Sequence, residues 1–173
     1  MEEIGFGGSC HWCTEAIFLS LRGVVEVRQG WIAASDAPSI FSEAVIVCFD
    51  PELIPLEMLI TVHLHTHSAT SSHSMRSKYR SAVYCHSAAQ QALALAIIHG
   101  LQQDFEESII TEVLEFSAFK LNQSEYLNYY YSDPEKPFCR NIVNPKLLQL
   151  LKDFAAHVDP DKLRHLRSSQ TKG

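Results

Sequence analysis

The stretch FGGSCHWCTEAIF, Phe6 to Phe18, decides how this chain is read. Two cysteines flank a histidine and a tryptophan, glycines precede them, and an apolar run at helical spacing follows. Ala16, Ile17, Leu19 and Leu21 lie near that spacing, Glu15 stands in the expected first turn and Gly23 supplies a stop. The helix therefore starts at the cysteine pair. Cysteine reacts as the thiolate, and a free pKa of roughly 8.5 leaves little thiolate at neutral pH. Unpaired N–H groups at a helix start favour an anion, so Cys10 is a candidate nucleophile, with Gly7 and Gly8 leaving it approachable. Its bland alternative is a small packed hydrophobe.

Cys10 and Cys13 form a C-x-x-C pair, which serves either as a redox dithiol or as half of a zinc site. No second C-x-x-C or H-x-x-x-H follows, so redox chemistry is the better reading and no metal is assigned. Trp12 offers an apolar wall for a small methyl or thioether group, or else is ordinary core. Glu43 opens an apolar strand where partial desolvation suits a carboxyl group to donate a proton; otherwise it is a solvated strand end.

Outward from that stretch the chain is ordinary in composition. It has 173 residues, 46% hydrophobic and 20% charged, which suits one domain with a single core. A net charge of −6 with no strong basic cluster argues against nucleic acid, and no apolar run approaches a membrane span. MEEIGFGG does not read as a signal peptide, so a cytoplasmic monomer is expected. The five cysteines are odd in number and irregularly spaced, unlike a secreted disulfide framework.

VVEVRQGWI, EAVIVCFDP, YRSAVYC and TEVLEFSAF read as strands. PLEMLITVHLH, Ala88 to Phe105 with Leu93, Ala94, Ile97, Ile98 and Leu101 on one face, NQSEYLNYYY and NPKLLQLLKDFAAHV read as helices. THSATSSHSMRSK is a surface loop, and the residues after Asp159 are polar and expected to fray. This order gives an α+β domain over residues 1–158 with a polar tail, 159–173.

Several motifs together resemble the peptide methionine sulfoxide reductase A family. GGSCHWCTEAIF is similar to its Gly-Cys-Phe-Trp signature followed by Glu, SEAVIVCFDPELIPLEML to its Ala-Glu-Ala-Val strand and Asp-Pro helix, and KYRSAVY to its Gln-Tyr-Arg-Ser-Ala strand. ITEV and KPFCRNIVNPKLLQL are similar to its C-terminal portion. The resemblance implies a two-layer sandwich, a mixed sheet flanked by helices on a ferredoxin-like core. It implies an oxidoreductase that reduces the S epimer of free or protein-bound methionine sulfoxide without a cofactor. Cys10 matches the nucleophile, Glu43 the general acid, Trp12 the wall of the methyl pocket and Tyr79 a tyrosine that hydrogen-bonds the sulfoxide oxygen. Cys139, on what resembles a mobile C-terminal segment, matches a resolving cysteine, with Cys13 the nearer alternative. Thioredoxin or a similar dithiol would recycle the disulfide.

Departures accompany the resemblance. His11 replaces the family's Phe and makes one wall of the substrate pocket polar and titratable. AASDAPSIFSEA lacks a Pro-Thr-Tyr segment, the acidic position of Gly-Asn-Asp-x-Gly falls at Ser74, and Ser68 and Ala69 follow His67 where Asp and Pro are usual. These changes keep open a second expectation, a cysteine-based sensor or binding protein that has lost turnover. A third, a metal site on His63, His65, His67 and His73, is weakened because helical spacing separates those side chains.

Overall fold

A strand ahead of the cysteine pair, which the sequence reading passed over, closes the sheet. In the computed structural model, which describes residues 1–166, Glu2–Gly7 form β1. It pairs antiparallel with β3 (Ser42–Phe49) on one side and with β4 (Ala82–Cys85) on the other. β3 pairs with β2 (Val24–Ala34) and β2 with β5 (Glu112–Leu121), both antiparallel, while β5 lies parallel to β4. The order β1-β3-β2-β5-β4 returns to β1 as a closed barrel.

The mixed sheet and flanking helices of the expected α+β domain are present, but the two-layer sandwich is corrected to a barrel. The reason is steric. A Cβ on Gly5 would lie 2.8 Å from Ile32 Cδ1 and 2.9 Å from Tyr84 Cβ, so a bare backbone there lets facing walls meet. Ile32, Ala34, Ala44, Ile46, Ala82 and Tyr84 fill the small interior. Val45, Val47 and Phe49 point outward to the helices, so β3 is apolar on both faces and reads as a continuous run.

Helices α1 (His11–Leu19), α2 (Leu56–Thr66), α3 (Ala88–Leu101) and α5 (Asn144–Phe154) cover the outer face around a core that includes the stacked rings of Phe6 and Phe18, 4.6 Å apart. α3 is shorter than expected, and Leu93 is exposed, not on its packed face. The helix expected over NQSEYLNYYY is divided: a 3₁₀ turn, Ser124–Tyr126, stops at extended Leu127, and Asn128, with φ of 52°, opens the one-turn α4 (Tyr129–Ser132). Past Asp159 the chain does not fray as expected over its described part: Leu163 and Leu166 are buried, and the Asp159 N–H donates to Ser20 O at 2.8 Å. Two leucines at i and i+3 suffice to dock a polar segment; residues 167–173 of the expected tail lie outside the described ones.

Candidate active site

Cys10 is the N-cap of α1, its carbonyl accepting from the N–H groups of Cys13 and Thr14 at 3.1 and 3.2 Å. The Cys13 side chain, one turn on, acts on the Cys10 thiol together with the N–H groups of Trp12 and Cys13. Together they lower the Cys10 thiol pKa against the opposing effects of burial and the Glu43 charge. Cys13, beside Cys10 and in a buried setting, is pushed far up and stays a thiol. Asymmetry of this kind makes one cysteine the nucleophile and the other its proton-bearing neighbour.

Glu43, buried at the start of β3, approaches the same helix end. Its Oε1 accepts the His11 N–H at 3.3 Å and lies 3.3 Å from His11 Nε2, while Lys78 Nζ stands 3.5 Å from Oε2. His11 is buried, and its Nδ1 meets the carbonyl of Gly30 at 2.7 Å. Burial lowers the His11 pKa, with the Gly30 carbonyl and Glu43 opposing. Gly30 is obligatory: a Cβ would fall 2.0 Å from Lys120 O across the β2–β5 pair.

Tyr79 and Cys10 line one open cavity of about 580 Å³, with His73, Met75 and Lys146. Arg76 joins its two walls, Nη1 donating to the carbonyls of Gly8 and Tyr79 at 2.8 Å each and Nε to Ser71 O at 2.8 Å. Gly8 has φ of +139°, and a Cβ there would meet the His67 ring at 2.6 Å. His67 donates to or accepts from Ser81 Oγ at 2.8 Å, Ser81 reaches Thr111 at 2.8 Å, and burial lowers the His67 pKa to about 4. The Ser74 side chain lies outside the described ones.

Trp12 faces away from that cavity into an aromatic stack. Its ring lies 3.9 Å from Tyr129 at 5°, 6.0 Å from Tyr126 and 5.4 Å from Phe138 edge-on. Glu15, expected in the first turn, lies beyond it in α1. It is buried, and its carboxylate accepts the N–H groups of Asn128 at 2.9 Å and Tyr129 at 3.0 Å, so it holds the Tyr126–Tyr129 turn over Trp12. Cys139 is fully buried in a π-helical turn, Cys139–Val143, that leads into α5, close enough to Cys13 for their charges to interact.

The four histidines of the metal reading diverge. His63 packs on Phe6, His65 pairs with Asp104, His67 turns to Ser81 and His73 caps a 3₁₀ turn. Among the described residues no three of His, Cys, Asp or Glu converge to hold a metal ion. Arg76, Tyr126 and Tyr129 were not singled out from sequence, nor was the part Glu15 plays; a carboxylate amid the apolar run of α1 was the available sign of it. No helix of the described chain is long and apolar enough to cross a membrane.

Comparison with known proteins identifies the family. The family model for peptide methionine sulfoxide reductase matches residues 2–158. The chain is 34% identical to the peptide methionine sulfoxide reductase MsrA of Trichodesmium erythraeum, covering 91% of this chain and 98% of that one. It is 32% identical to the MsrA of Thermus thermophilus, covering 92% and 99%. Among solved structures it is similar in fold to reduced Mxr1 from Saccharomyces cerevisiae, with a TM-score of 0.71, 22% identity, and 80% and 88% of the two chains covered. It is likewise similar to Mxr1 in complex with Trx2, with a TM-score of 0.60, 21% identity, and 70% and 81% covered. The chain belongs to the peptide methionine sulfoxide reductase family.

Proposed function

We propose that this protein is a peptide-methionine (S)-S-oxide reductase, acting on free or protein-bound methionine sulfoxide in the cytoplasm as a monomer, with residues 1–158 as the working unit. The observation that carries the reading is Cys10 at the N-cap of α1, where the next residue's N–H donates to the buried Glu43 carboxyl, with Tyr79 on the same cavity as Cys10.

Cys10 thiolate attacks the sulfoxide sulfur while Glu43 gives a proton to its oxygen, with Tyr79 as a second hydrogen-bond donor to that oxygen. The S–O bond breaks as an S–S bond to Cys10 forms; the released hydroxide then attacks the Cys10 sulfur, the S–S bond breaks with its electron pair going to the substrate sulfur, and methionine leaves Cys10 as the sulfenic acid. Cys13 then displaces water from that acid, forming the Cys10–Cys13 disulfide. Its position one turn from Cys10 on the same helix makes it the first resolver, and Cys139, equally buried, takes over the disulfide by exchange. A thioredoxin-type dithiol supplies the two electrons that restore the thiols, in keeping with the relative solved in complex with Trx2.

One feature favours the sensor reading as the second choice: Tyr129 stacks on one face of Trp12, 3.9 Å between ring centres, and so takes up part of the wall a substrate methyl needs. Single-turnover reduction of both epimers of a blocked methionine sulfoxide, with thiol counting on the parent, Cys10→Ser and Glu43→Gln, separates the two. Product from the S epimer with Cys10-dependent loss of two thiols supports the reductase. No product from either epimer, with Cys10 still readily oxidised, overturns it in favour of the sensor.

A further inference from the structure

Among the described residues that line the cavity shared by Cys10 and Tyr79 there is no Asp or Glu, and the cation on its wall is Lys146, in the first turn of α5. His67, on the same lining, is kept neutral by burial. Lys146 is half-buried and, among the described residues, has no carboxylate at ion-pair distance. The acids of the surroundings are already engaged. Asp104 is met by His65 at 3.3 Å, and Glu43 by Lys78 at 3.5 Å.

Arg76 adds a second cation without a counter-charge. Its donors go to the carbonyls of Gly8, Ser68, Ser71 and Tyr79, so its charge is hydrogen-bonded but not neutralised. Both cations act on His67, and Lys146 also acts on Cys13, which stays a thiol all the same. In a chain of net charge −6 this cavity reverses the sign of the whole, and its walls concentrate the field on whatever enters. A half-buried ammonium with donors to spare is best met by a carboxylate. In methionine sulfoxide three carbons separate the sulfur from an α-carboxylate, so the two ends reach different walls of one cavity. At about 580 Å³ the space also admits an acidic neighbouring residue.

We propose that Lys146 makes this site selective for methionine sulfoxides that carry a carboxylate, on their own α-carbon or on the side chain of an adjacent residue, by pairing with it from the cavity wall. Lys146 acts on binding, through KM, and takes no part in breaking the S–O bond. This inference rests on the reductase reading for its turnover part.

The test compares two substrate pairs on the reduced full chain, with dithiothreitol as reductant. One pair is N-acetylmethionine (S)-S-oxide and its amide; the other is a blocked dipeptide with Asp or with Asn after the sulfoxide. In the parent, kcat/KM is expected to favour the carboxylate member about fivefold to tenfold, carried by KM. A preference confined to the first pair assigns the carboxylate to the substrate residue itself, and one confined to the second assigns it to an acidic neighbour. Lys146→Gln is expected to bring the ratio toward one, and Lys146→Arg to retain most of it. Equal values within both pairs in the parent, or a preference that survives Lys146→Gln, would overturn the proposal. Binding is read apart from turnover through protection of Cys10 from iodoacetamide, where N-acetylmethionine is expected to protect at lower concentration than its amide in the parent but not in Lys146→Gln. That pattern in a parent without turnover overturns the reductase reading and leaves the carboxylate site standing. Turnover without a carboxylate preference overturns the proposal and leaves the reductase reading standing.

Discussion

The carboxylate of Glu15 accepts the backbone N–H of Tyr129 at 3.0 Å, a buried link between α1 and the turn whose tyrosine stacks on Trp12. Asn128 donates to the other oxygen, so the left-handed residue that starts the turn is held by the same group. Glutamine at position 15 sets an amide N–H against one of these donors. Glu15→Gln is expected to lower stability by about 1–3 kcal/mol in urea unfolding, and an unchanged midpoint would count against the link.

Cys13→Ala removes the side chain that does most to lower the Cys10 thiol pKa. The pH midpoint of Cys10 alkylation by iodoacetamide is expected to rise by about one unit, with slower reaction at neutral pH. A midpoint equal to the parent's would show that the helix end alone sets Cys10.

Arg76 fastens Tyr79 to the loop before Cys10 through the carbonyls of both strands of the gap. Arg76→Ala is expected to reduce kcat for sulfoxide on the order of tenfold to a hundredfold while Cys10 alkylation stays near the parent rate. Equal kcat would mean that Tyr79 needs no such anchor.

His67 is neutral in the fold, with its pKa depressed to about 4 from a usual value near 6.5. The unfolded chain binds the extra proton first, so this stability is full above about pH 6.5 and is lost as pH falls through 4. The loss amounts to about 2 kcal/mol for this half-buried ring, and chemical denaturation from pH 7 to 4 should show it. His67→Gln should flatten the slope over that window.

Gly30→Ala places a Cβ 2.0 Å from Lys120 O and forces β2 from β5. A loss of about 3 kcal/mol or more is expected in thermal or urea unfolding, together with a displaced carbonyl at His11 Nδ1. Parent-like stability would require the strands to part at little cost.

Much of this protein is legible in its sequence because it depends on near neighbours. The start of α1 at Cys10, the apolar β3 behind Glu43 and the amphipathic α5 follow from periodicity and from the needs of a helix N-terminus, and the motif order carries the family. Tertiary structure decided what periodicity does not encode. β1 is six residues with two glycines at its end, too short and bare to read as a strand, yet it closes the barrel because facing side chains from β2 and β4 need the space those glycines leave. Glu15 reads as a first-turn acid and is buried because Asn128 and Tyr129, 113 and 114 positions away, each supply a donor. His11 reads as a polar pocket wall, but its partners at Gly30, Glu43 and Asn122 come from three separate segments. Hydrogen-bond polarity between them is a property of their meeting in space, and no local pattern in the chain contains it.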